Sequence, residues 1–289
     1  MKTPAAQRAF QAGGEADATP APVLPPSRLA RLLHAGATRW AGFIETPRVL
    51  DFRKRYAPEI AFVLARFSPR AYLGLHLTAG VVVLSAATFA FGALAEDVVT
   101  SDPIVDFDLA AAMWLHQHLT PVTAAILTAV TEVHGPVGIA LVATLLAALL
   151  AWKRWWYWLL ALVMTVPGGM AVNVLLKHVF HRVRPQFDDP LLLLTTYSFP
   201  SGHVAGSTLF YGFVVALVIT RLADFRARVS LVLGALVMVV MVALSRMYLG
   251  AHYFSDVVGA FAESLAWLAI ALTGVHVYTQ ARTRRGLLA

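Results

Sequence analysis

Six apolar stretches, each close to the length that crosses a bilayer, leave this chain little choice of solvent. They run over about residues 72–95, 122–152, 155–177, 203–222, 229–248 and 255–278, and roughly 20 apolar residues in a helix span a hydrocarbon core. The expected fold is therefore all-α, a bundle of six transmembrane helices. Composition agrees: 58% of the residues are hydrophobic and 13% charged, against about 25% charged in soluble domains. The second stretch is too long for one straight span, and Glu132, His134, Gly135 and Pro136 interrupt it. A kink or break is expected there, near one membrane face. Between the first two spans, 96–120 is acidic (Glu96, Asp97, Asp102, Asp106, Asp108) and reads as a short surface helix. The chain has no cysteine, which excludes disulfides and thiolate metal sites.

Residues 1–26 hold Ala, Pro, Gly and Gln without an apolar core and read as a disordered tail rather than a signal peptide. Over 27–70 apolar positions (Leu29, Leu32, Leu33, Trp40, Phe43, Ile44) recur at helical spacing opposite Arg28, Arg31, His34 and Arg39. That pattern fits an amphipathic helix on an anionic leaflet, or equally one packed on the protein's own cytoplasmic face. A second short helix is expected to start at Pro58. The membrane domain then occupies 71–280, and 281–289 form a basic tail.

Charge sets the orientation. With both termini in the cytoplasm, all but four of the 23 Lys and Arg fall on the cytoplasmic side, a strong positive-inside pattern. The net charge of +7 belongs to that bias and to no solvated basic domain, so nucleic acid is not expected as a partner. The exceptions are Lys177, Arg182, Arg184 and Arg246. Arg182 reads as a cation snorkelling to headgroups. The other three stand in register with histidines, and a ligand accounts for them better than topology does. Arginine excess and abundant alanine suggest a GC-rich bacterial genome, hence a cytoplasmic (inner) membrane with these residues facing the periplasm.

Three cations suit a phosphate. Phosphoryl transfer needs equatorial charge neutralised and a nucleophile in line with the leaving group. Arginine's fork fits two phosphate oxygens, and lysine supplies a movable point charge. Pro200-Ser201-Gly202-His203 opens an apolar helix, where Ser201 can cap, Gly202 lets a ligand approach, and free N–H groups favour an anion. His252 and Asp256 are four apart, which on a helix places them on one face. The carboxylate then fixes the imidazole tautomer and frees the other nitrogen to attack. His203, without such a partner, suits the general acid that protonates a leaving alkoxide and then the base that activates water. His134, His178 and His181 read as polar trim, and Glu132, His134 and Glu263 as unassigned polar residues able to tune a substrate.

Together these segments resemble the type 2 phosphatidic acid phosphatase (PAP2) superfamily. Its signature of K-x6-R-P, P-S-G-H and S-R-x5-H-x3-D matches Lys177 to Arg184-Pro185, Pro200 to His203, and Ser245-Arg246 to His252 and Asp256, without a gap. The resemblance implies His252 as a nucleophile forming a phosphohistidine, Asp256 as its orienting group and His203 as general acid. Lys177, Arg184, Ser201, Gly202 and Arg246 would hold the phosphate, with no metal and no cofactor. It implies a lipid phosphate or pyrophosphate as substrate, of the undecaprenyl, phosphatidylglycerol, phosphatidic acid or lipid A type. Vanadium haloperoxidases share the signature, but they are soluble and six spans argue against them. A lipid phosphotransferase with the same first half-reaction stays open. A six-helix transporter or lipid-binding protein is the non-enzymatic alternative, although its site would lie near the midplane rather than at an edge.

Overall fold

The computed structural model describes residues 46–58, 60–61, 75–100, 103–187 and 194–284. The expected tail at 1–26, most of the amphipathic stretch at 27–70 and the end of the basic tail, 285–289, lie outside the described residues. The chain divides after Phe62 into two compact units. In the first, α1 (Pro47–Arg55) follows Thr46, with proline opening the helix and Arg53, Lys54 and Arg55 in the last turn, where cations complement the helix dipole. A helix therefore begins at Pro47, ahead of the expected start at Pro58. Residues 57–58 and 60–61 are again helical.

The described residues of the second unit form α2 (Leu75–Thr100), α3 (Pro103–Gln117), α4 (Pro121–Val133), α5 (Pro136–Trp152), α6 (Trp156–Phe180), α7 (Gly202–Ile219), α8 (Phe225–Tyr248) and α9 (Phe254–Arg284). Five of these helices are long and apolar enough to cross a membrane, and the α4–α5 pair, bent by 44°, passes the same test only when its two helices are taken together. The bend falls where the sequence interrupts itself. His134 leaves helical geometry, Gly135 takes the extended conformation of an N-cap, and Pro136 lacks the N–H that would continue the ladder. The acidic segment is shared: Glu96 and Asp97 end α2, and Asp106 and Asp108 lie in α3.

Lipid tails are as apolar as leucine, so the helices associate by close packing rather than by escape from water. At Gly169 on α6 an added Cβ would stand 2.5 Å from Leu209 of α7 and 2.8 Å from Trp267 of α9. Leu162 and Val166, Leu209 and Phe213, and Leu268 fill the space between those three helices. Val239 and Val242 of α8 pack on Val204 of α7 and Val257 of α9. Large apolar side chains left exposed, such as Phe89, Val137 and Leu141, suit contact with lipid. At the bundle end away from the motifs, the Arg221 guanidinium lies 4.2 Å from the Trp155 ring and joins two loops.

Candidate active site

Four helix ends meet on one side of the bundle and carry the three motifs there, the third running from the end of α8 into the start of α9. Helix α6 ends at Phe180 because His181 adopts a left-handed conformation (φ 49°) and its N–H closes on the Lys177 carbonyl at 3.1 Å. One turn before that stop, Lys177 Nζ donates to the carbonyls of Tyr197 at 2.8 Å and Ser198 at 3.3 Å. Past the stop, Arg184 ties two segments together. Its Nε donates to Thr196 O at 2.7 Å, and its Nη1 donates to Ala251 O at 2.6 Å and to His252 Nε2 at 3.2 Å.

Ser201 occupies the N-cap of α7, but its side chain makes no capping bond. The Oγ is buried without a hydrogen-bond partner, and its backbone N–H donates to the Asp256 carbonyl at 3.0 Å. The expected capping role is thus replaced by a hydroxyl free for a ligand. Gly202 and His203 open the helix itself, whose first N–H groups lack intrahelical acceptors. An added Cβ at Gly135 would lie 3.5 Å from His203 Nε2, so the α4–α5 break faces the site. His134 at that break is no polar trim. It is buried, bonds Val130 O and the Tyr211 hydroxyl at 2.8 Å each, and lines a cavity of about 460 Å³ with Gly202 and Gly206. His178 and His181 remain exposed.

The spacing from Arg246 to His252 has a local cause. Helix α8 ends at Tyr248, Gly250 turns left-handed (φ 68°), and Gly250 N–H returns to Met247 O at 3.0 Å. Ala251 N–H returns to Arg246 O at 3.0 Å, and His252 N–H shares that carbonyl at 3.2 Å. The bonds from Gly250 to Met247 and from Ala251 to Arg246 together make a Schellman motif. It folds His252 back over Arg246, which is buried with its Nε unpartnered. Ser245 beside it bonds Thr131 of α4 at 2.9 Å.

His252 and Asp256 do not share a helical face as expected, because α9 begins at Phe254. They meet instead across the cap: Asp256 Oδ2 accepts the Tyr253 N–H at 2.8 Å, as the acid of a capping box does, and faces His252 Nδ1 at 3.4 Å. The Ser198 hydroxyl donates to the same oxygen. With Nδ1 protonated toward the carboxylate, Nε2 keeps its lone pair and accepts from Arg184. Burial pushes the His252 imidazole down to about 3, and Asp256 offsets this only in part. At neutral pH the His252 imidazole is thus uncharged.

Arg182 corrects the reading of it as a surface cation. Its Nη1 donates to Asp256 Oδ1 at 2.7 Å and Ser255 Oγ at 2.7 Å, and its Nη2 donates to Asp108 Oδ2 at 2.8 Å. Burial works against its charge, but Asp256 and Asp108 outweigh that and hold it above the ordinary arginine value. Asp108 lies on α3 and is fully buried, so the acidic segment is more than surface. Neither residue was singled out for the site from sequence, since Asp108 lies 74 residues from Arg182. Farther down, Glu263 is buried and accepts from Asn173 at 3.0 Å. Among the described residues both site carboxylates are paired to Arg182. Lys177, Arg184 and Arg246 face the two histidines, and no carboxylate among the described residues is in ion-pair contact with them.

Residues 155–280 match the model of the PAP2 superfamily. Phosphatidylglycerophosphatase B of Bacillus subtilis is 32% identical over 122 residues, which cover 41% of this chain and 58% of that protein's length. The crystal structure of a transmembrane PAP2 type phosphatidylglycerolphosphate phosphatase from Bacillus subtilis superposes with a TM-score of 0.60 at 24% identity. The match covers 68% of this chain and 96% of that one, and at such identity the likeness speaks for the fold.

Proposed function

We propose that this chain, whose residues 155–280 match the PAP2 superfamily model, hydrolyses the phosphate headgroup of a lipid at the periplasmic face through a phosphohistidine. One observation carries the reading. The site's carboxylates are taken up by Arg182, while three further cations and the unpartnered Ser201 Oγ and Arg246 Nε converge beside a neutral His252. Buried charge of one sign is costly without a counter-ion, and a phosphate dianion supplies it.

In the proposed reaction His252 Nε2 attacks phosphorus as the bond to the lipid oxygen breaks. His203 gives its proton to the departing alkoxide. Water, deprotonated by His203, then attacks the same phosphorus, the P–N bond breaks, and inorganic phosphate leaves. Lys177, Arg184, Arg246, Ser201 and the first N–H groups of α7 bind the equatorial oxygens, where charge grows in the transition state. Phosphatidylglycerol phosphate heads the candidate substrates because the Bacillus relative bears that activity in its name. Undecaprenyl pyrophosphate, phosphatidic acid and lipid A phosphates present a similar headgroup.

The test is phosphate release by the purified protein across that panel, without an added acceptor. His252→Ala is expected to abolish turnover. His203→Ala is expected to form phospho-enzyme slowly, since general acid catalysis is worth about 10²–10⁴ in rate. Acid-labile label on the His252→Ala protein refutes the assignment, and label lost only to a lipid acceptor makes the enzyme a phosphotransferase.

A further inference from the structure

We infer that Arg182 and Asp108 are positioning residues for this chemistry, which hold the Asp256 carboxylate in the one orientation that serves His252. The inference rests on the phosphatase reading and adds two residues to it that the three motifs do not specify.

Asp256 has two oxygens with separate duties. Oδ2 faces His252 Nδ1, the Tyr253 N–H and the Ser198 hydroxyl. Oδ1 is held by Arg182 Nη1. Rotation of the carboxylate would exchange the oxygens, and the Arg182 fork blocks it. The fork is itself pinned from its other side, because Nη2 binds Asp108. Asp108 in turn accepts the Ser255 N–H at 3.0 Å and the Ser255 hydroxyl, so α3 also grips the first turn of α9. The Tyr253 ring, 4.5 Å from the guanidinium carbon, covers one face of the fork. A lysine in its place could not reach both carboxylates with parallel bonds.

The arrangement also sets charge. Arg182 withdraws negative charge from Asp256, so the carboxylate orients the imidazole without drawing it into the protonated form. The other charged groups facing His252 are Arg184, Lys177, Arg246 and, when protonated, His203. All of them oppose an imidazolium. Removing Arg182 leaves Asp256 more basic and His252 easier to protonate. The acidic limb of the kcat–pH profile then moves to higher pH, since the nucleophile must be neutral.

Arg182→Gln, Arg182→Lys and Asp108→Asn are compared with the wild-type protein on a short-chain phosphatidic acid. Vanadate stabilisation against heat reports the phosphate seat separately from turnover. Arg182→Gln is expected to lower kcat about 10²-fold, the cost of a nucleophile displaced by about 1 Å. KM and vanadate stabilisation should stay within twofold, and the acidic limb should rise by about one pH unit. Arg182→Lys should restore the pH limb, because the charge returns, and little of kcat, because the fork does not. Asp108→Asn should lower kcat with the limb nearly unmoved. Wild-type kcat and pH limb in Arg182→Gln overturn the inference. So does loss of vanadate stabilisation in parallel with kcat, which marks a merely structural role. A wild-type protein that releases no phosphate from any lipid overturns the phosphatase reading instead.

Discussion

Replacing Gly250 by alanine tests whether the turn after α8 delivers His252, the proposed nucleophile. Gly250 has φ 68°, a region that costs an L-residue roughly 1–2 kcal/mol. Its new Cβ would stand 2.7 Å from Phe187 Cε2 and 3.1 Å from Cδ2. That ring has little freedom to yield, because it stacks on His116 with centroids 4.1 Å apart and planes 18° apart. The turn must give way, and the N–H groups of Ala251 and His252 lose their shared acceptor on Arg246. A displacement of His252 by about 1 Å is enough to cost on the order of 10² in rate. Gly250→Ala should therefore inactivate at lower temperature in detergent and lose kcat about 10²-fold.

Two further variants separate the causes. Phe187→Ala in the same chain removes the clash and leaves only the backbone strain. Gly250→Asn with Phe187→Ala should recover most of the loss, since asparagine tolerates the left-handed region. The measurements are initial rates of phosphate release and heat-inactivation midpoints for all three, with Phe187→Ala alone as control. A Gly250→Ala protein with kcat within twofold of wild type refutes the reasoning.

Activity should persist in EDTA, because Lys177, Arg184 and Arg246 already neutralise the phosphate and no cluster of three His, Asp or Glu suited to a metal occurs among the described residues. Loss in chelator that a divalent ion restores overturns this, and vanadate, a mimic of five-coordinate phosphorus, should inhibit. The cysteine-free chain also allows the topology to be read directly. A membrane-impermeant thiol reagent on intact spheroplasts should label Thr195→Cys and spare Arg226→Cys, both exposed positions, and the opposite pattern moves the chemistry to the cytoplasm.

The spans and the break at Pro136 were legible because each has a local cause: a run of apolar residues, and a residue without an N–H. The eight motif residues were legible by type and spacing, and the fold brings all of them to one end of the bundle. What local pattern could not convey was how they are held. The interval from His252 to Asp256 is one helical turn in number, yet the chain spends it on entering a helix. The contact forms because a first-turn acid reaches back to the residue before it. Ser201 has the residue type of a cap and the position of one, but its hydroxyl is left unpartnered.

Arg182 carries the more general point. Counted along the chain, it was one of four cations against the positive-inside bias and the one with no motif position to explain it. Among the described residues it is the one of the four with carboxylate partners, Asp108 from α3 and Asp256 from α9. Those partners lie 74 residues to either side of it, beyond the reach of any periodicity. Pairing them with Arg182 keeps the orienting acid from neutralising the clamp. In the proposed reaction the positive charge of Lys177, Arg184 and Arg246 is thereby reserved for the ligand, and a cation that binds no phosphate makes the other three fit to bind one.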